Sequence, residues 1–329
     1  MPPNMTPNNK PVTPASEHPQ NPSADPPMPD RGHLLTELRN PRSAQIDRAS
    51  VGEAFDLINA EDAGIAVAIA AARNEICRAI ELVVAAFQAG GRLIYIGAGT
   101  SGRLGVLDAA ECPPTFLSDP QTVQGVIAGG WEALRRSIEG AEDHPEDGAA
   151  KMDGLTVGPH DVVMGITTGG TTPYVHGALQ RARERGAKTI FFACVAGEHV
   201  PDAADVSIRV LVGPEVITGS TRLKAGTATK MVLNMITTIS MVQIGKVYQN
   251  LMVDVNTRAN RKLVDRGTRI LQTLTGLERA AAAALLERAG GRVKAALVMH
   301  AKGVSTDEAE KLLEQNGGRL AQVLNKDGD

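Results

Sequence analysis

Leu93-Ile94-Tyr95-Ile96-Gly97-Ala98-Gly99-Thr100-Ser101-Gly102-Arg103 decides how this chain folds. The apolar run reads as a buried strand, the glycines as a tight turn, and the residues after them as a short helix ended by Pro113-Pro114. A strand that passes into a helix through such a turn leaves unpaired helix N–H groups facing the turn, and the helix dipole adds to their pull on an anion. Thr100 and Ser101 supply hydroxyl donors there without adding charge.

Gly97, Gly99 and Gly102 also satisfy the dinucleotide pattern G-x-G-x-x-G. That site needs a second strand ending in an acid about 20 residues on. Here the next strand candidate, Val123 to Ala128, ends in Gly129-Gly130, and Asp119 lies in a Ser-Asp-Pro turn. A long helical stretch also precedes the first strand, whereas dinucleotide domains begin with theirs. A small phosphorylated ligand fits better.

Working outward, Asp161 to Ile166, Lys188 to Cys194 and Val206 to Val212 read as further strands, with helices over Trp131 to Ile138 and Val175 to Arg185. This alternation predicts an α/β fold whose parallel sheet carries helices on both faces and binds ligands at the carboxyl ends of its strands. A second polar turn, Thr167-Thr168-Gly169-Gly170-Thr171-Thr172, stands at such an end, ahead of a helix begun by Pro173. A turn needing only a positive φ would use one glycine. Two hydroxyl-dense turns read instead as paired grips on one ligand. A third, Glu215 to Thr227, opens a helix running to about Gln243, whose stripe of Met231, Val232, Met235, Ile239 and Val242 reads as core or subunit contact.

Before the first strand, Glu61 to Ala89 reads as one helix with Ile69, Ile76, Ile80, Val83 and Phe87 on one face, stopped by Gly90-Gly91. Residues 1–31 hold ten of the 19 prolines and predict a disordered tail, and residues 32–258 form the α/β domain. Residues 259–329 predict a small appended helical domain, with a capping box at Ser305 and Glu308. Arg258, Arg261 and Lys262, with Asp265, read as a solvated helix face.

With 329 residues, 43% hydrophobic and 22% charged, the chain is globular in composition. A net charge of −3 gives no reason to expect nucleic acid or an anionic membrane as partner. Cys77, Cys112 and Cys194 show no paired spacing, which points to a reducing compartment, the cytoplasm. The seven histidines are scattered without metal-ligand spacing. No run reaches the ~18 apolar residues of a membrane helix.

The turn GAGTSGR, the segment LDAAECPPTF (107–116), GAED (140–143), TPYV (172–175), GSTRLKAGTATKMVLNM (219–235) and QNLMVDV (249–255) together resemble the N-acetylmuramic acid 6-phosphate etherase family. The likeness spans roughly residues 34 to 326. It implies a doubly wound five-stranded parallel sheet of sugar isomerase (SIS) type, a homodimer whose subunits complete each other's sites, and a lyase without cofactor or metal. The implied reaction splits the lactyl ether of N-acetylmuramic acid 6-phosphate into N-acetylglucosamine 6-phosphate and D-lactate. Non-catalytic sugar-phosphate regulators and aldose–ketose phosphate isomerases are the alternatives within the same fold.

An ether at sugar C3 leaves readily only when an aldehyde at C1 acidifies the C2 proton, so the ring must open first. Elimination then needs a base at C2 and an acid at the departing oxygen, and water addition needs the reverse. The resemblance places these two acids at Glu111, the proton donor, and Glu142, its partner in proton abstraction or water activation. At the end of a short helix, Glu111 would also feel a negative dipole that raises a carboxyl pKa. Ligand contacts are expected from Gly99, Thr100, Ser101, Gly102, Thr168, Gly170, Thr171 and Thr172. Where the family's second turn often carries Ser and Arg, this chain has Gly169 and Thr171, so Ser220 and Lys224 of the third turn are expected to compensate.

Overall fold

The computed structural model describes residues 30–255, 257 and 261–325. Residues 1–29 of the tail expected over 1–31, Arg258 and the last four residues lie outside them. Three helices come first: α1 (Val51–Asp62), α2 (Ile65–Ala71) and α3 (Arg73–Gln88). The single helix expected over Glu61 to Ala89 is thus interrupted twice. Gly64 accounts for the first break, since glycine is the weakest helix former after proline; Ala72, at φ −92° and ψ 14°, makes the second with no local cause in its sequence.

Then β1 (Leu93–Gly97), α4 (Gly99–Phe116), β2 (Val123–Ile127), α5 (Gly130–Ala133), α6 (Pro145–Gly154), β3 (Val162–Ile166), α7 (Pro173–Glu184), β4 (Lys188–Ala193), β5 (Val206–Arg209) and α8 (Lys224–Gln243) alternate. The five strands form one parallel sheet in the order β2-β1-β3-β4-β5. Its central strands β1 and β3 are buried at every position because both faces are covered, whereas the edge strands β2 and β5 carry Gln124, Ser207 and Arg209. Leu93, Tyr95, Met164 and Phe192 face the layer of α2, α3, α4 and α8, while Ile94, Ile96, Val163 and Phe191 face α6 and α7. Two helical segments differ from expectation. The helix expected over Trp131 to Ile138 is only the single turn α5, and α4 continues through Pro113 and Pro114 instead of stopping there. The prolines remove two helical hydrogen bonds, while burial of Cys112 and Phe116 on either side holds the last turn in place. Leu117, in the left-handed region at φ 50°, ends the helix by donating its N–H to Pro113 O.

Beyond β5 and α8, α9 (Arg261–Thr275), α10 (Arg279–Arg288), α11 (Val293–Lys302), α12 (Thr306–Gln315) and α13 (Leu320–Leu324) gather around a separate apolar cluster that runs from Val253 to Val323. Asp265 there pairs with Arg269 and Arg279, as a solvated face would. Among the described residues no helix is long and apolar enough to cross a membrane.

Candidate active site

In a sheet of order 2-1-3-4-5 the chain reverses direction between β1 and β3, and a crevice opens beyond the carboxyl ends of those two strands. The first and second glycine-rich turns leave the sheet there. Gly99 begins α4 in the left-handed region at φ 51°, a conformation that favours glycine. No side chain caps α4 at Ala98, so its first-turn N–H groups remain open to an anion. Helix α7 is closed at its start, since Pro173 has no N–H, Tyr174 N donates to Glu142 O and Val175 N to Thr172 O. Thr167 and Thr172 share a hydroxyl hydrogen bond of 2.8 Å that closes the second turn on itself. Thr168 is buried, its carbonyl accepting from Cys194 N, and Thr171 stays half-exposed.

The third turn differs. Glu215, 0% exposed, accepts from Lys224 N and Ala225 N and thereby caps α8 with a carboxylate. Burial pushes the Glu215 carboxyl up, and the two N–H donors partly offset this. Lys224, expected to hold phosphate, is 2% exposed, and its ammonium lies 2.6 Å from Glu61 Oε2. Arg42 holds the other Glu61 oxygen at 2.6 Å. Lys224 is therefore a buried ion-pair partner in this chain, and α8 offers no free N-terminus. Ser220 remains half-exposed, and α8 still approaches the first turn, since a Cβ on Gly226 would stand 3.5 Å from Thr100 Cγ2.

Glu142 and Gly99 line one cavity of about 140 Å³, with Arg103 and Ser137. Two features hold the acid there. Glu142 O accepts from Tyr174 N at 3.0 Å, tying its loop to the start of α7. Immediately after it, α6 packs so closely on α7 that a Cβ on Gly177 would overlap Pro145 O.

Glu111 is not in this cavity. It lies twelve residues along α4 from Gly99, about 18 Å at 1.5 Å per residue, and is exposed. Because α4 runs on to Phe116, Glu111 also sits outside the last turn, where the dipole acts. The turn that carries it is anchored by Asp108, which sequence reasoning missed. Asp108 accepts from Asn234 Nδ2 at 2.5 Å, Tyr95 Oη at 3.0 Å and Thr237 Oγ1 at 3.2 Å. Burial raises its carboxyl, and those donors offset part of the rise. The same burial, with the Asp108 charge beside it, pushes the Cys112 thiol up to about 12. All three cysteines are unpaired. Among the described residues no three His, Cys, Asp or Glu side chains converge as a metal site would require.

Also missed was Thr36, 1% exposed, whose carbonyl accepts from Gly219 N at 3.2 Å and whose Oγ1 would lie 3.9 Å from a Cβ on Gly169. It links the second turn to the third across more than 100 residues. Nothing local in the sequence marks it, because its burial arises from turns more than 100 residues away.

The profile described as the glucokinase regulatory protein N-terminal SIS domain matches residues 75–183, and that of the SIS domain matches residues 138–239. Similarity to proteins named N-acetylmuramic acid 6-phosphate etherase runs nearly end to end. The one from Gloeobacter violaceus is 56% identical over 299 residues, covering 91% of this chain and 97% of that protein. The Nostoc punctiforme protein is 57% identical over 90% of this chain and 96% of its own length. That of Thermosynechococcus vestitus is 60% identical over 83% and 88%. With this identity spread over sheet, turns and C-terminal helices alike, the chain belongs to the N-acetylmuramic acid 6-phosphate etherase family.

Proposed function

We propose that this protein cleaves the lactyl ether of N-acetylmuramic acid 6-phosphate, giving N-acetylglucosamine 6-phosphate and D-lactate, as a carbon–oxygen lyase of cell-wall amino-sugar recycling in the cytoplasm. The observation that carries the reading is the placing of Glu142 in one cavity with the uncapped first turn of α4. The phosphate rests on the open N–H groups of α4, with Thr100, Ser101, Thr168 and Thr171 beside it. Glu142 then lies within reach of the sugar carbons. Elimination and hydration are redox-neutral, so two carboxylates and one water complete the proton balance.

Glu111 reaches this chemistry from a second copy of the chain. A cavity of about 140 Å³ falls short of the 300 Å³ or more of ordinary ligand sites, and α4 carries its own Glu111 away from it. Helix α1 supplies a surface for a neighbour. Val51, Phe55 and Ile58, at spacings of four and three, are 90%, 66% and 40% exposed, and of its twelve residues only Glu61 is buried. A homodimer that covers this stripe and brings the partner's α4 to the crevice would complete two sites at once.

Incubation of the purified protein with N-acetylmuramic acid 6-phosphate, followed by a D-lactate assay, tests the reading. Release should need no added NAD or divalent metal. Glu111→Gln should abolish it while phosphosugar affinity stays within several-fold. Binding without lactate release would instead mark a regulator, and interconversion of aldose and ketose phosphates an isomerase.

A further inference from the structure

Elimination starts from the open-chain aldehyde, and Glu111 and Glu142 are both engaged at C2 and C3. Opening the ring is a separate proton transfer. It removes the proton of the C1 hydroxyl and delivers one to the ring oxygen, so it needs an acid–base group near C1.

Thr36 bridges the second and third turns, and the next residue, Glu37, is exposed at the rim between them. Thr36 Oγ1 donates to Glu37 Oε1 at 3.5 Å. Glu37 Oε2 would stand 3.2 Å from a Cβ on Gly219, whose φ of 74° also favours glycine, so backbone and space together keep the carboxylate clear on that side. Arg42 and Lys224 of the adjoining segments are both committed to Glu61, while Arg39 and Arg222 stand exposed. The histidines near these turns are engaged elsewhere. His176 Nε2 is held by Gly170 O at 2.7 Å, and His33 meets His199 edge to face at 5.5 Å. A carboxylate beside a phosphate would be repelled, which places Glu37 toward the hydroxyl-bearing end of the sugar.

We propose that Glu37 opens the sugar ring. Its carboxylate takes the proton of the C1 hydroxyl, the C1–O5 bond breaks as the C1 carbonyl forms, and the carboxylic acid so generated passes that proton to O5. Atoms and charge balance with no further reactant. This rests on the phosphosugar occupying the crevice, as the etherase reading requires, and it gives the protein a second activity, interconversion of the anomers of its own sugar product.

Exchange NMR of the α and β anomers of N-acetylglucosamine 6-phosphate measures that activity directly. Wild type and Glu111→Gln should both accelerate interconversion. Glu37→Gln should slow it on the order of a hundredfold, with product affinity and thermal unfolding unchanged, and Glu37→Asp should restore part of the rate. A Glu37→Gln protein that equilibrates the anomers as fast as wild type overturns the proposal, as does a wild type that releases D-lactate without accelerating exchange. A wild type that releases no D-lactate strikes the etherase reading itself.

Discussion

Asp161 accepts four hydrogen bonds, from Arg92 N at 3.0 Å, Nε at 3.0 Å and Nη2 at 2.7 Å, and from Gly158 N at 3.0 Å. It thereby joins the amino ends of β1 and β3, the two strands that frame the crevice. Burial alone would raise its carboxyl, but the Arg92 and Gly158 donors outweigh it and hold the group below its usual 3.8. A carboxyl depressed on folding adds stability that is present above the unfolded pKa and is lost as pH falls through the folded one. Melting temperatures measured from about pH 4 down to about pH 2 should therefore fall more steeply for wild type than for Asp161→Asn. Asp108→Ala would leave Tyr95, Asn234 and Thr237 without their shared acceptor, and urea titration should show a loss of about 3 kcal/mol. Neither network could be read locally. Asp108 and Asn234 are separated by 126 residues, and a lone Asp within LDAAEC carries no mark of its three partners. The hydroxyls and glycines of the first two turns were legible because they stand next to the strands that place them.

Helices α6 and α7 position Glu142 through close backbone contact, and this is sensitive to a single methyl group. Gly177→Ala would push Pro145 away and should destabilise by about 1–3 kcal/mol. Since Tyr174 N holds the Glu142 carbonyl, the same variant should lose D-lactate release beyond what its lowered melting temperature explains. Gly154→Ala, where a Cβ meets nothing within 4 Å, serves as the neutral control. At this scale the sheet was legible, because runs such as Ile94-Tyr95-Ile96 state burial on both faces. The course of α4 was not. Local rules stop a helix at Pro113-Pro114, and only the packing of Cys112 and Phe116 against the core overrides them.

For the whole molecule, α4 separates the uncapped N–H groups of its first turn from Glu111 by about 18 Å. If the two ends work in different sites, neither acid variant alone should be active, yet mixing them should recover function. Glu111→Gln and Glu142→Gln subunits, unfolded together and refolded, should regain roughly a quarter of wild-type D-lactate release, since half of the dimers are mixed and each holds one intact site. No recovery, with mixed dimers verified by mass spectrometry, would place both acids in one chain and remove the shared site. Glu215 has a consequence of its own. Its buried carboxylate shuts the third helix end, while Glu37 is exposed beside that turn and Glu139 and Glu142 beside the first. One open helix end suits a monophosphate, whereas the longer polyanionic tail of a nucleotide-linked sugar would meet these carboxylates, so activated sugars should bind far more weakly with no steric gate needed.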